Sequence, residues 1–199
     1  MRTIQILRTS AALLFVALAT GCAFTPQTVV IEPMVEVPAG NIGEDRNISV
    51  YVVDERTTTT LGRRGTGALR GAAITTEQDI AAVFQTSIVE NLNAMGFNAV
   101  AVTEGTTDPG SSLLRVDIRS LEYEMSMGFW TGGVHTRGSM KATATRDARS
   151  YDKLYRVDEE KRVMVVPGAN SNAQMINATA SAILQELFND VALFRFLAE

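Results

Sequence analysis

With 199 residues, 46% of them hydrophobic and 20% charged, and a net charge of −4, the chain amounts to one globular domain. The apolar fraction excludes wholesale disorder, and a polytopic membrane protein is excluded because only one stretch, near the N-terminus, is continuously apolar. A single cysteine excludes a disulfide framework, and one cysteine with one histidine argues against a Cys/His zinc site.

Arg2 and Arg8 flank the start, and Ala11 to Thr20 follows as an apolar run of 10 residues, which as a helix spans about 15 Å, half a bilayer core. A positive start, a short apolar run and the small residues Ala19-Thr20-Gly21 read as a secretory signal over residues 1–21, removed in the mature protein. Ala19-Thr20-Gly21-Cys22 resembles a bacterial lipobox, although Ala19 stands where leucine is commonest and Leu18 lies one place earlier. That resemblance implies a diacylated Cys22 as the mature N-terminus, and a lipidated sulfur is neither nucleophile nor metal ligand. The alternative is an ordinary signal peptide with Cys22 an incidental thiol. Two or three acyl chains hold a protein firmly, at about 0.8 kcal/mol per buried CH₂. Ala23 replaces the Asp that retains lipoproteins at the inner membrane in enteric-type bacteria, so the expected location is the outer membrane, lipid-anchored, on its periplasmic face. Cleavage removes Arg2 and Arg8 and no acid, leaving 16 basic against 22 acidic residues and a charge of −6, which argues against a nucleic-acid partner.

Residues 22–47 carry Pro26, Pro33 and Pro38 with Gly40 and Gly43, a tether of about 25–30 Å reach if flexible, in which Thr28 to Ile31 is a candidate edge strand. The domain proper is expected over 48–199. Ile48 to Asp54 reads as a buried strand, and 55–75 as a Gly/Thr/Arg loop. Thr76 with Asp79, or Thr75 with Gln78, marks a helix start; Ile80, Val83, Phe84, Ile88, Leu92 and Met95 give it one apolar face, and Gly96 stops it. Asn98 to Val102 is a short strand, followed by a turn cluster around Asp108-Pro109-Gly110.

Leu114, Val116 and Ile118 alternate with charged residues, then the phase flips to Leu121, Tyr123 and Met125, which calls for a β-bulge near Arg119-Ser120. Residues 113–146 form a long hairpin whose glycine-bounded loop carries Phe129 and Trp130. A further strand pair is expected over Leu154–Val157 and Arg162–Val166, separated by a charged turn from Asp158 to Lys161. After Pro167-Gly168 a second helix starts with Asn170 or Ser171 as its cap; Asn189-Asp190 interrupts it before an apolar tail. These elements predict an α+β fold of two layers, a mostly antiparallel sheet with two amphipathic helices on one face.

The lipobox, Ile31-Glu32-Pro33, Asp54-Glu55-Arg56, Leu61-Gly62, Met95-Gly96-Phe97 and the tail Asp190, Leu193, Phe196-Leu197 together resemble the YajG-like family of small bacterial lipoproteins. The resemblance spans nearly the whole mature chain and implies an envelope address, with no assigned reaction, substrate or cofactor. The Arg/Gly loop and Phe129-Trp130 depart from that pattern.

The single histidine, His135, would have to run any Ser-His-Asp or Cys-His chemistry, yet no G-x-S-x-G turn occurs. Glu122 and Glu124 share one strand face and read as solvating residues. No catalytic residue, metal ligand or cofactor is assigned. Gly62 to Gly71 fails both nucleotide fingerprints, but Arg63, Arg64 and Arg70 could clamp an anionic ligand such as a cell-wall carboxylate or a phosphate. Phe129 and Trp130 suit a membrane interface or a partner pocket, or else fold back over the sheet. The functional expectation is a non-catalytic binding or assembly module held by Cys22, docking an envelope protein through the hairpin tip, the Arg/Gly loop or a sheet edge. The alternative is an anion or cell-wall binder, and an envelope hydrolase comes third.

Overall fold

The computed structural model describes residues 25–38, 40–64, 71–106, 110–127 and 132–199. The signal segment, Cys22, Arg70, Asp108-Pro109, and Phe129 and Trp130 lie outside the described residues. In chain order the elements are β1 (Gln27–Thr28), β2 (Asn47–Asp54), β3 (Gly62–Arg63), β4 (Ala73–Thr75), α1 (Ile80–Ala94), β5 (Asn98–Ala101), β6 (Ser112–Met127), β7 (Gly132–Arg146), β8 (Arg149–Val163), α2 (Ala169–Phe188) and α3 (Val191–Ala198). No helix among the described residues is long and apolar enough to cross a membrane.

The fold is mixed α+β, and its sheet is partly parallel, a correction to the mostly antiparallel expectation. The long strands β6, β7 and β8 are antiparallel neighbours. On the other side of β6 the pairing changes: β2 lies parallel to both β6 and β5, and β1 lies parallel to β4. The crossover helix α1 joins β2 to β5, which is how parallel neighbours are connected. β2 ends at Asp54 opposite Ile118, and after a loop β3 takes over the same edge of β6 at Tyr123.

The phase flip in β6 is absorbed as its side-chain pattern demands. Ile118 opposes Met140 and Ser120 opposes Ser139, so Arg119 is the extra residue of a bulge, and Leu114, Val116, Ile118, Leu121, Tyr123 and Met125 are all buried. β8 differs from expectation, since Arg149–Val163 is one strand and Asp158-Glu159-Glu160 pair with Arg137, Thr136 and His135 instead of turning. Its polarity belongs to an edge strand wetted by solvent. Asp147, at φ 52, makes the tight turn that feeds it.

Phe84, Ile88 and Leu92 of α1 are buried over β2 and β5. The second helix lies over β6, β7 and β8, and a Cβ on Gly138 would stand only 3.2 Å from Thr179 Cγ2, so the missing side chain lets helix and strand close. Both helix starts also correct the expectation. Asp79 itself caps α1, accepting from the Ala82 amide at 3.2 Å, and Gly168 starts α2 without a side-chain cap. Gly96 stops α1 at φ +86, as its position after the apolar run predicts. The apolar tail is a third helix, capped by Asp190.

Of the expected tether, residues 27–37 pack against the domain. Val29 and Ile31 are 1% exposed, and the extended chain runs along α2 with its amides at alternate residues bonded to helix side chains. Glu32 N donates to Asn177 Oδ1 at 2.8 Å, Met34 N to Ser181 Oγ at 2.9 Å and Glu36 N to Gln185 Oε1 at 2.9 Å. Two extended residues advance about 6.6 Å and four helical residues about 6.0 Å, so the two ladders keep step. Asn177 Nδ2 and Gln185 Nε2 return bonds to the Val30 and Glu36 carbonyls.

Asp190 ties the turn between α2 and α3 to β8. Its Oδ2 accepts from Tyr155 at 2.7 Å, Tyr151 at 2.8 Å and Lys153 Nζ at 3.0 Å, while Oδ1 accepts from the Ala192 and Leu193 amides. Burial by itself would raise the carboxyl, but the bonds from Tyr155, Lys153 and Tyr151 outweigh it and hold the group at about 2. Burial and the bond to Asp190 push the Tyr151 hydroxyl up to about 12 and Tyr155 higher still.

Asp190→Ala removes a helix cap and orphans two tyrosine hydroxyls, and should cost about 2–4 kcal/mol in urea unfolding at neutral pH; an unchanged midpoint would refute the role. Because the folded carboxyl titrates below its ordinary value, its contribution is complete above pH ~4 and drains away as pH falls towards ~2, a trend absent from the variant. In the triple variant N177A/S181A/Q185A, hydrogen exchange should accelerate at Glu32, Met34 and Glu36 and not at Val116; unchanged exchange would show that the extended segment is held by other means.

Candidate functional site at one pole of the sheet

Strand direction decides which loops become neighbours. β6 runs towards residue 127; β3, parallel to it, and β8, antiparallel to β7, run the same way, while β1, β4 and β7 start from that end. One pole therefore gathers Thr25 before β1, Arg63 and Arg64 at the end of β3, Gly132 at the start of β7 and Val163–Val166 at the end of β8. It also holds the start of α2, because Gln27 Nε2 donates to the Ala169 carbonyl at 2.7 Å.

A buried polar chain fastens this pole. Tyr123 OH donates to Asn172 Oδ1 at 2.8 Å, and Asn172 Nδ2 donates to Gln27 Oε1 at 3.0 Å. β6, α2 and β1 are thus joined through groups that would be costly to leave unpaired. Burial pushes the Tyr123 hydroxyl up to about 12, against the opposing charge of Arg64. Gly62 is required beside it, since a Cβ there would collide with the Tyr123 carbonyl oxygen; the close approach lets Tyr123 N donate to the Leu61 carbonyl at 2.6 Å.

The candidate anion-binding arginines part company here. Arg63 is exposed, while Arg64 is 7% exposed and donates from NH1 to the Thr25 carbonyl at 3.3 Å. Arg64 thus braces the N-terminal approach to β1. The ends of the Arg/Gly loop and of the hairpin that carries Phe129 and Trp130 lie at this same pole, a convergence that sequence reading does not show.

Sequence reading also misses the apolar segment of this pole. Met164 is 82%, Val165 74% and Val166 40% exposed. A run of four apolar residues, Val163 to Val166, between Lys161-Arg162 and Pro167-Gly168 is visible in the sequence, but there it reads as a strand. Beside it a cleft of about 570 Å³ opens between Val134, Thr136 and Lys161 of the sheet and Ser171, Gln174 and Met175 of α2.

The other face of the sheet is wet and ion-paired. His135 Nε2 stands 3.6 Å from Glu160 Oε1, and its cross-strand neighbours are Glu124 and Glu160. Arg137 binds Glu124 at 2.5 Å and reaches Glu122 at 4.0 Å, so the paired acids serve as partners for a guanidinium. Arg115 similarly binds Asp117 at 2.6 Å. Among the described residues no group of three or more His, Cys, Asp or Glu side chains is placed to hold a metal ion.

Solved structures share the fold. A Xanthomonas campestris protein of the family DUF330 superposes with a TM-score of 0.54 at 13% identity, over 87% of this chain and 96% of its own. A homolog of the neuraminyllactose-binding hemagglutinin from Helicobacter pylori gives a TM-score of 0.51 at 7% identity, over 82% of this chain and 91% of its own. At such identities the likeness is one of fold alone. No functionally curated protein matches the sequence. A family model described as uncharacterized lipoprotein, however, matches residues 33–198, which is most of the chain, and the protein belongs to that lipoprotein family.

Proposed function

We propose that the chain is an outer-membrane lipoprotein, acylated at Cys22 and facing the periplasm, which serves as a non-catalytic binding or assembly module of the cell envelope. The observation that carries this reading is the convergence at one pole of the approach to Cys22, the ends of the Arg/Gly loop and the ends of the Phe129-Trp130 hairpin. A partner in or beside the same membrane would meet that tip, or would add a strand to the long edge of β8 that no described strand covers. Membership of a lipoprotein family supports the anchor. The narrower YajG-like assignment rests on the residues quoted for it. A second reading, anion binding at the Arg/Gly loop, is favoured by one feature: the buried Nε of Arg64 has no hydrogen-bond partner among the described residues.

Cys22→Ala should move the protein from the membrane to the soluble fraction while leaving its melting temperature unchanged; a variant still in the membrane fraction would overturn the anchor. Photocrosslinkers at Trp130 and Arg63 in living cells test the module. Capture of one discrete envelope protein, with or without lipid at Arg63, is the expected outcome. Capture of glycan at Arg63 alone would establish the anion-binding reading instead, and capture of lipid alone would overturn assembly at this pole.

A further inference from the structure

We propose that this pole rests directly on the lipid leaflet, with Met164, Val165 and Val166 entering the headgroup boundary and Lys161, Arg162 and Arg63 facing lipid phosphates. The proposal builds on acylation of Cys22 and adds a second, protein-made contact with the membrane.

The leash is short. Only Ala23 and Phe24 stand between Cys22 and Thr25, three steps of chain that extend at most about 11 Å. Beyond Thr25 there is little slack: Gln27 and Thr28 pair with β4, and 29–37 lie along the domain. A flexible tether over 22–47 would let the domain stand about 25–30 Å off the bilayer, whereas the docked segment brings it down onto the surface. The leash leaves the domain beside Ala169, because Gln27 is bonded to that carbonyl, and Val166 lies three residues before Ala169. Acyl chains and exposed segment therefore share one end of the molecule.

That segment is also unlike the rest of the exposed apolar surface. Nine large hydrophobic residues are exposed among those described, and Val30, Met34, Ile42, Val100, Leu154 and Val191 occur singly, as is usual on protein surfaces. Met164, Val165 and Val166 are the exception, three in a row ahead of a buried Pro167. Lys161 and Arg162, both exposed, precede them with only the half-buried Val163 between, and Arg63 is exposed at the end of β3. None of these three cations is ion-paired with another described residue. The acids of β8 lie a step further back, where Glu160 faces His135. An apolar tip behind a basic collar matches a leaflet whose phosphates overlie its acyl chains.

The test uses the full acylated chain in vesicles of phosphatidylethanolamine and phosphatidylglycerol. Cys22 is the only cysteine, so once its sulfur is acylated an introduced cysteine is the sole thiol. An environment-sensitive dye is placed in the variant Val165→Cys and, as a control at the opposite pole, in Thr145→Cys; both positions are exposed. Lipids brominated on their acyl chains should quench the dye at position 165 several-fold more than at 145, and aqueous iodide should show the reverse order. Flotation with the vesicles but equal quenching at the two positions would overturn the leaflet contact and leave the anchor standing. Failure to float would overturn the anchor and the leaflet contact together.

Discussion

Among the described residues no strand pairs with the backbone of 30–36, and helix side chains supply the bonds that a strand would have supplied. Asn177, Ser181 and Gln185 recur every fourth residue along one face of α2 and meet amides that recur every second residue of an extended chain. Each bond contributes about 0.5–1.5 kcal/mol, but the group acts through its regularity. It lets Val29 and Ile31 be buried, with Gln78 bonding Ile31 at both its amide and its carbonyl. This choice decides where the chain leaves the domain, and hence which pole faces whatever the N-terminus is attached to.

Two buried polar knots divide the remaining work between the ends of the molecule. At one end Tyr123, Asn172 and Gln27 join the central strand, the long helix and the first strand with neutral partners. At the other, Asp190 gathers two tyrosines, a lysine and two helix amides around one charge. A neutral network is insensitive to pH across the ordinary range, whereas the carboxylate network gives way in acid. The two ends of the domain thus respond differently to the same change in the medium.

Much of the fold was legible because local pattern and tertiary need coincided. The apolar period of α1, the glycine that stops it and the phase flip in β6 all appear in the structure where the residues put them. Parallel pairing was harder to read, although the nearly unbroken run Ile48 to Val53 is what a strand flanked on both sides tends to show. β8 is not distinguishable from a charged turn by sequence, because an edge strand and such a turn have similar composition. The candidate site was less legible than the fold. Arg64 differs from Arg63 only by being adjacent on an extended segment, so its burial follows from strand direction and from Thr25, neither of which is local. Met164 to Val166 gave an apolar signal, but exposure depends on where β8 ends, and that is set by its pairing with Gly132.

The bulge at Arg119 imposes a parity rule on the central strand. Upstream of it even-numbered side chains face the core and downstream odd-numbered ones do, so the two halves of β6 are out of phase by one residue and are reconciled at a single site. Loss of one residue anywhere else in β6 would turn one half inside out, placing Arg or Glu against α2, unless a second change restored the count. Length variation in this strand is therefore confined to pairs of residues or to the bulge itself, while β7, which carries no such defect, sets the scale against which any change is measured.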